Sequence, residues 1–280
     1  MKILITGASS GLGLASAEHF AKSGNQVVML ARRRERLSKA ADDLRSKYPT
    51  AIIETEVLDV SDFDQVREFA KKQTEPIDVL MNNAGLMGPD FILSKQGIES
   101  QMATNHLGHF LLTKLLWPNL ERAESSRVIS LSSVVHRRGN LSKLSIQTLI
   151  GAEGKYDRWQ RYADTKLACL LFARELDLRA KQLGSKVKSI AAHPGWAITG
   201  LQENFPHALD RFAQTATQGA QSQIFAATNA LAGGEFVGPR FELWGAPKRI
   251  KGSSHSRDLQ ISQTLWELSE QVVGEKFFDL

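Results

Sequence analysis

The sequence predicts an α/β fold: a single-domain, doubly wound sheet of seven mostly parallel strands with helices on both faces. Three observations carry this expectation. The chain opens on a short apolar run, Lys2-Ile3-Leu4-Ile5, that breaks into Thr6-Gly7-Ala8-Ser9-Ser10-Gly11-Leu12-Gly13. Such a run reads as a buried parallel strand, and the glycines read as its turn into a helix. Short apolar runs then alternate with helical patterns, which implies parallel strands joined by right-handed crossovers. With 280 residues, 42% hydrophobic and 23% charged, the chain can bury one large core of the ordinary globular kind.

After the glycine turn, Ala15, Ala17 and Phe20 mark an amphipathic helix, and Val27-Val28-Met29-Leu30 is the second strand. Residues 33–47 are helical in composition and stop before Pro49. A third strand spans 52–58, and Asp59-Val60-Ser61-Asp62 turns into a helix through Phe63, Val66 and Phe69. The fourth strand, 77–81, runs into Asn82-Asn83-Ala84-Gly85 and a loop through Met87, Gly88 and Pro89. One long helix is expected over 96–120 and a fifth strand over 127–131, followed by an irregular region over 134–160. Loops of that length usually cover a site. A helix over 161–183, a strand over 187–192, the turn His193-Pro194-Gly195, an irregular stretch to Gln214, a helix over 219–231 and a last strand over 240–243 complete the pattern. Leu259, Ile261, Leu265, Trp266, Leu268 and Val272 are spaced for a final amphipathic helix over about 256–275.

Composition excludes several classes of function. The net charge of +5 comes from basic residues spread along the chain, so no nucleic-acid partner is expected. The single cysteine, Cys169, excludes an internal disulfide framework and a cysteine-based zinc cluster. It points to a reducing, cytoplasmic setting and reads as a small buried hydrophobe. No stretch approaches the roughly 18–20 apolar residues of a membrane span. The N-terminus runs directly into the first strand, so no signal peptide or membrane anchor is expected. His106, His109, His136 and His193 match no metal-ligand spacing, and no metal is expected.

The glycine turn suits a dinucleotide. Gly7, Ser9, Ser10, Gly11, Leu12 and Gly13 let the backbone approach a ligand, while a helix starting near Gly11 directs unpaired N–H groups and its positive dipole end outward. Glycines also make ordinary turns, but the strand, turn, helix and second strand here supply the context of a Rossmann-type nucleotide site. An acid at the end of the second strand would bond the 2′-hydroxyl of NAD. This chain instead has Ala31 followed by Arg32, with Arg33 as a second contact. A guanidinium suits a 2′-phosphate, which favours NADP(H) over NAD(H). Arg34 and Arg36 read as the solvated start of a helix. Asp59-Val60 either lies at the adenine or caps the next helix. Asn83, Ala84 and Gly85 fall at the next carboxyl edge, where ligands of such sheets bind.

Tyr162-Ala163-Asp164-Thr165-Lys166 places a phenol and an ammonium at i and i+4 on one helix face. Phenols ordinarily titrate near 10, and a neighbouring ammonium or a cationic nicotinamide favours the phenolate. Ser132 and Ser133 end the fifth strand, where a hydroxyl can hydrogen-bond a substrate oxygen. Asn105, within Asn105-His106-Leu107-Gly108-His109-Phe110, is either functional or a residue that bends its helix.

With the spacing G-x-x-x-G-x-G behind Thr6, then Asn82 to Gly85, Asn105, Ser133, Tyr162, Lys166 and Pro194-Gly195 in that order, the chain resembles the short-chain dehydrogenase/reductase family over nearly its whole length. The resemblance implies an NADP(H)-dependent oxidoreductase with a cofactor half at about 1–125 and a catalytic half at about 126–255. It places the adenine contact at Asp59-Val60 and further cofactor contacts at Asn83, Ala84, Gly85, Tyr162, Lys166, Pro194, Gly195 and Thr199. Hydride would pass to a carbonyl carbon while Tyr162 protonates the oxygen. Ser133 would orient that oxygen, with Ser132 the alternative if strand register differs. Lys166 would bind the nicotinamide ribose, and Asn105 would sit at a helix distortion holding a water that relays protons to the lysine. The other class of function is an NADPH-binding regulator without turnover, which a missing catalytic residue would favour; all four are present. An extended-type epimerase would carry T-G-x-x-G-x-x-G, which this chain does not.

The enlarged segment 136–161, Val134-Val135-His136 and the extra C-terminal helix resemble the branch containing retinol dehydrogenases, protochlorophyllide reductases and WW-domain oxidoreductases. Retinol enzymes often carry a membrane anchor, and none is expected here. Met87, His136, Trp159, Trp196 and Phe205 either pack internally or line a pocket for a small lipophilic or aromatic carbonyl or alcohol. In related folds the helices ending near Leu120 and Leu183 join subunits. Leu111, Leu112, Leu115, Leu170, Leu171 and Phe172 therefore serve either the core or a homo-oligomer.

Overall fold

The computed structural model describes residues 1–151, 155–197 and 213–278. One sheet runs in the order β3-β2-β1-β4-β5-β6-β7-β8. Its strands are β1 Lys2–Thr6, β2 Gln26–Ala31, β3 Ile53–Val57, β4 Val79–Asn82, β5 Arg127–Leu131, β6 Lys188–Ala192, β7 Phe236–Pro239 and β8 Pro247–Arg249. The first seven are parallel and β8 is antiparallel to β7. Strand order reverses between β1 and β4, which opens a crevice at their carboxyl ends.

The helices are α1 Gly11–Lys22, α2 Arg34–Lys47, α3 Phe63–Lys71, α4 Ser100–Met102, α5 Gly108–Leu115, α6 Trp117–Glu121, α7 Ile146–Ile150, α8 Arg158–Gln182, α9 Ala216–Thr228 and α10 Leu259–Val273. Side chains alternate across each strand, so the sheet feeds two cores. Ile3, Ile5, Val27 and Met29 pack with α1, α2 and α9 on one face. Leu4, Val28, Leu30 and Leu80 pack with α3, α5, α8 and α10 on the other. No helix among the described residues is long and apolar enough to cross a membrane.

Three expectations need correction. Among the described residues the seven parallel strands are joined by an antiparallel eighth, and the seventh is Phe236–Pro239 rather than 240–243. Gly238 and Pro239 read as a turn in sequence. In the fold, a Cβ at Gly238 would overlap the His193 ring, so glycine is the residue that fits this strand. Residues 240–246 form the tip of the β7–β8 hairpin. The expected long helix over 96–120 is broken: Glu99 caps α4 through Gln101 N and Met102 N, a π-helical turn covers Ala103–Leu107, and Pro118 lies in the first turn of α6. The region over 134–160 is more regular than expected, with a 3₁₀ turn at Val134–Arg138 and the short α7 capped by Ser145 and Thr148.

Leu111, Leu112, Leu171 and Phe172 are buried within the chain itself, in the core that α10 completes. Trp266 of α10 stacks on Phe172 with ring centroids 6.0 Å apart. Leu170 packs with Ala173, Ala191 and Phe236. Cys169 is fully buried, as expected.

Candidate active site

The crevice at the β1/β4 reversal is a cleft of about 380 Å³. Gly7 and Gly11 adopt left-handed φ values of 68° and 55°, and a Cβ on Gly7 would stand 2.9 Å from Ala84 Cα. A Cβ on Gly13 would overlap the Gly7 carbonyl, so these glycines fit α1 closely against the turn. The N-cap of α1, Ser10, makes no side-chain capping bond, and no acid occupies the first turn. The leading N–H groups are therefore left without a side-chain cap, at a wall of the cleft formed by Gly7 and Ser9 to Gly13. That donor set fits a pyrophosphate.

At the end of β2, Ala31, Arg32 and Arg33 line the cleft, and so does Arg36. Arg36 was expected to be merely solvated. It follows the N-cap Arg33 by one helical turn, so i, i+3 and i, i+4 spacing in Arg32, Arg33 and Arg36 was the signal that links them. Asp59 lies 3.8 Å from Arg32, and its Oδ1 accepts bonds from Ser61 N and Ser61 Oγ. Leu58, Val60, Leu86, Pro89, Thr104 and Leu131 complete the walls; of these only Val60 was singled out in sequence. Asn83, Ala84 and Gly85 also line the cleft. Their backbone is fixed by Thr6, whose Oγ1 accepts bonds from Asn83 N and Ala84 N at 2.9 Å each, while Asn83 Nδ2 donates to Thr6 O at 2.7 Å.

The chemical end is built on α8, β5 and the π turn. Lys166 Nζ donates to Leu131 O at 3.0 Å and lies 5.7 Å from the Tyr162 ring centre. Asn105 Oδ1 accepts from Leu86 N at 2.8 Å, and its Nδ2 donates to Leu86 O and to Thr165 Oγ1. A Cβ on Gly85 would stand 3.2 Å from Asn105 Oδ1 and 3.5 Å from Lys166 Nζ, so these three residues meet at one point. The two serines differ plainly. Ser132 Oγ is buried and donates to Lys166 O at 2.7 Å, while Ser133 is half-buried at the head of the 3₁₀ turn.

Buried histidines tie these parts together. His109 Nδ1 faces the Asn105 carbonyl at 3.3 Å, and its Nε2 meets Thr6 Oγ1 at 2.9 Å. His106 Nε2 meets Ser269 Oγ of α10 at 2.8 Å. Gly195, with φ 76°, donates its N–H to His193 Nδ1 at 3.1 Å. The Cβ position of Gly219 lies 2.8 Å from Leu12 and 3.4 Å from Pro194, so the Pro194-Gly195 turn sits beside the start of α1. Burial drives the His106 and His193 pKa values down to about 3 and that of His109 down to about 4.

Among the residues expected at a substrate pocket, Met87 lines the cleft. Trp159 is 39% exposed and lies over Gly88, whose Cβ would stand 3.0 Å from the indole. Trp196 is half-buried, and its backbone N–H donates to Leu243 O at 2.9 Å. His136 is a correction: it is 1% exposed, and both ring nitrogens are committed to backbone, at Ser133 O and Ser253 N. Thr199 and Phe205 lie outside the described residues.

A family model described as short chain dehydrogenase matches residues 1–210. Retinol dehydrogenase 13 of Mus musculus is 38% identical over 202 residues, which is 71% of this chain and 59% of that protein. The chain thus spans about three-fifths of that relative's length. Retinol dehydrogenase 14 of Homo sapiens is 32% identical over 298 residues, covering 97% of this chain and 86% of its own. The WW domain-containing oxidoreductase of Gallus gallus is 32% identical over 98% of this chain and 68% of its own. Among solved structures, an uncharacterised protein from Mycobacterium paratuberculosis superposes with a TM-score of 0.85 at 36% identity, over 99% of this chain and 94% of the other. A short chain dehydrogenase from Escherichia coli CFT073 in complex with NADPH shares the fold, with a TM-score of 0.62 at 23% identity, over 77% of this chain and 85% of its own.

Proposed function

The chain belongs to the short-chain dehydrogenase/reductase family, and from that premise we propose that it is an NADP(H)-dependent oxidoreductase reducing a lipophilic or aromatic aldehyde or ketone. The observation that carries the reading is the meeting of Lys166, Asn105 and Gly85 beside Tyr162, at the end of a cleft whose far end holds three arginines.

The uncapped N–H groups of α1 fit a pyrophosphate, Asp59 and Val60 lie at the adenine end, and Arg32, Arg33 and Arg36 fit a 2′-phosphate. Gly85, Pro194 and Gly195 border the nicotinamide end. A bound nicotinamide would supply the hydride. The protein supplies the proton: Tyr162 donates it to the carbonyl oxygen as charge develops there, and Ser133, rather than the committed Ser132, hydrogen-bonds the same oxygen. Lys166 holds the ribose end of the cofactor and presents its ammonium to the Tyr162 ring. Asn105 fixes the loop after Gly85 through both backbone groups of Leu86. Met87, Trp159 and Trp196 give the substrate side its apolar and aromatic character. The names of the retinol dehydrogenase relatives support the same class, a lipophilic alcohol and its aldehyde.

The test is NADPH oxidation against a panel of aliphatic, aromatic, steroid-like and retinoid-like aldehydes and ketones, with NADH and Tyr162→Phe in parallel. Turnover should prefer NADPH and fall about 10²- to 10⁴-fold in the variant, the usual worth of a positioned acid. The variant should melt and bind NADPH like the parent, and retained turnover would refute the role of Tyr162.

A further inference from the structure

His136, which the sequence left between internal packing and a substrate pocket, bonds the backbone of the serine. Its backbone N–H and its ring Nδ1 both donate to the Ser133 carbonyl, at 3.1 and 2.7 Å. Its Nε2 accepts from Ser253 N at 3.1 Å, in the segment between β8 and α10. A carbonyl on one side and an N–H on the other admit a single tautomer, neutral with the proton on Nδ1. The ring stands edge-on to Phe236 of β7 at 5.3 Å, and the same phenyl ring also meets His193, tilted at 5.4 Å. His193 in turn accepts the Gly195 N–H. One buried aromatic of β7 therefore backs both the turn bearing Ser133 and the turn bearing Pro194-Gly195. Among the described residues the Ser133 hydroxyl meets only a 3.4 Å contact from Val135 N, so its aim depends on how firmly its peptide plane is fixed.

We propose that His136 is a positioning residue: through Nδ1 it fixes the peptide of Ser133, and so the hydroxyl that orients the substrate oxygen, against the segment at Ser253. The inference rests on the proposed role of Ser133. It makes the enlarged region after β5 part of the catalytic scaffold, and it separates two functions of one ring, because each nitrogen can be replaced alone.

The experiment compares His136→Asn, whose carboxamide N–H stands where Nδ1 stands, with His136→Gln, whose carboxamide oxygen reaches the Nε2 position and accepts from Ser253 N without reaching Ser133 O. Both are tested in the full chain with Ser133→Ala alongside, reading melting temperature, NADPH dissociation constant, kcat and KM. His136→Asn should keep kcat within about threefold of the parent, while His136→Gln should lose about tenfold or more in kcat with its NADPH affinity unchanged, a loss typical of a misplaced reacting group. Equal losses in the two variants, scaling with melting temperature, would reduce His136 to a packing residue. If Ser133→Ala abolishes turnover while His136→Gln retains it, the positioning role alone falls; if Ser133→Ala retains turnover, the serine's role falls and takes this inference with it. Independently of any substrate, nitrogen-15 spectra of histidine-labelled protein at pH 7 should show His136 protonated on Nδ1, and an Nε2-protonated ring would overturn the assignment.

Discussion

At the scale of single residues, the proposed preference for NADP(H) rests on Arg32, Arg33 and Arg36, which line one end of the cleft. The Arg32 guanidinium is 62% exposed and only 3.8 Å from Asp59, so that pair is worth little, and its partner does not compete strongly with a phosphate. A hydrogen bond between charged groups contributes about 1.5–3 kcal/mol, so Arg32→Ala should weaken NADPH binding by roughly ten- to a hundredfold and NADH binding by much less. Arg36→Ala should change affinity in the same direction. Fluorescence titration of both cofactors reads this directly, and an equal loss for NADPH and NADH would end the assignment. The sequence showed Arg32 because an acid was missing after β2. It hid Arg36 because a charge run on a helix ordinarily faces water, and only the start of α2 at Arg34 turns that side chain back over the cleft.

Between elements, the first turn of α8 is fastened to the N-cap of α4 by a buried ion pair. The Glu99 side chain is fully buried, and Arg161 Nε donates to it at 2.7 Å while its other nitrogens bond Thr148 O and Leu149 O. Tyr156 donates to the same carboxylate, and burial first, then Glu99, pushes the Tyr156 pKa up to about 12, so it remains a donor. Glu99 also caps α4. Removing one partner of such a pair strands a buried charge, so Glu99→Ala should cost about 3–5 kcal/mol in urea unfolding. Because Arg161 precedes Tyr162 directly, the loss should also lower turnover of the folded fraction; a variant as stable as the parent would show that the pair is replaceable. None of this was legible in sequence, because Glu99 and Arg161 lie 62 residues apart and carry no local pattern. The turns that follow β4 and β5, at Gly85 and Ser133, and the turn at Gly7 to Gly13 were legible, because apolar runs ending in small residues have few other readings. The π turn around Asn105 left no trace in periodicity, since one extra residue in a turn hardly shifts an apolar stripe.

Across the whole molecule, buried neutral histidines join the site to the elements around it: His109 spans from Thr6 to the Asn105 carbonyl, His106 from the π turn to α10, and His193 from Phe236 to Gly195. Their folding is linked to pH. Each has its pKa lowered by burial from 6.5, to about 3 for His106 and His193 and about 4 for His109. The unfolded chain therefore takes up protons near pH 6.5 that the native chain refuses. Stability is full above that pH and is lost as pH falls from about 6.5 towards about 4. Each histidine gives a slope approaching about 1.4 kcal/mol per pH unit in that window, and three together approach about 4. Urea unfolding at pH 8, 7, 6 and 5 should show a plateau over the first two and a steep fall over the last two. NADPH binding should be lost over the same range, because the histidines hold the cofactor loop and the catalytic turn in register. A midpoint that stays level down to pH 5 would mean that these rings protonate in the native state, and the connections from Thr6 to Asn105 and from Gly195 to Phe236 would then have to open without unfolding the chain.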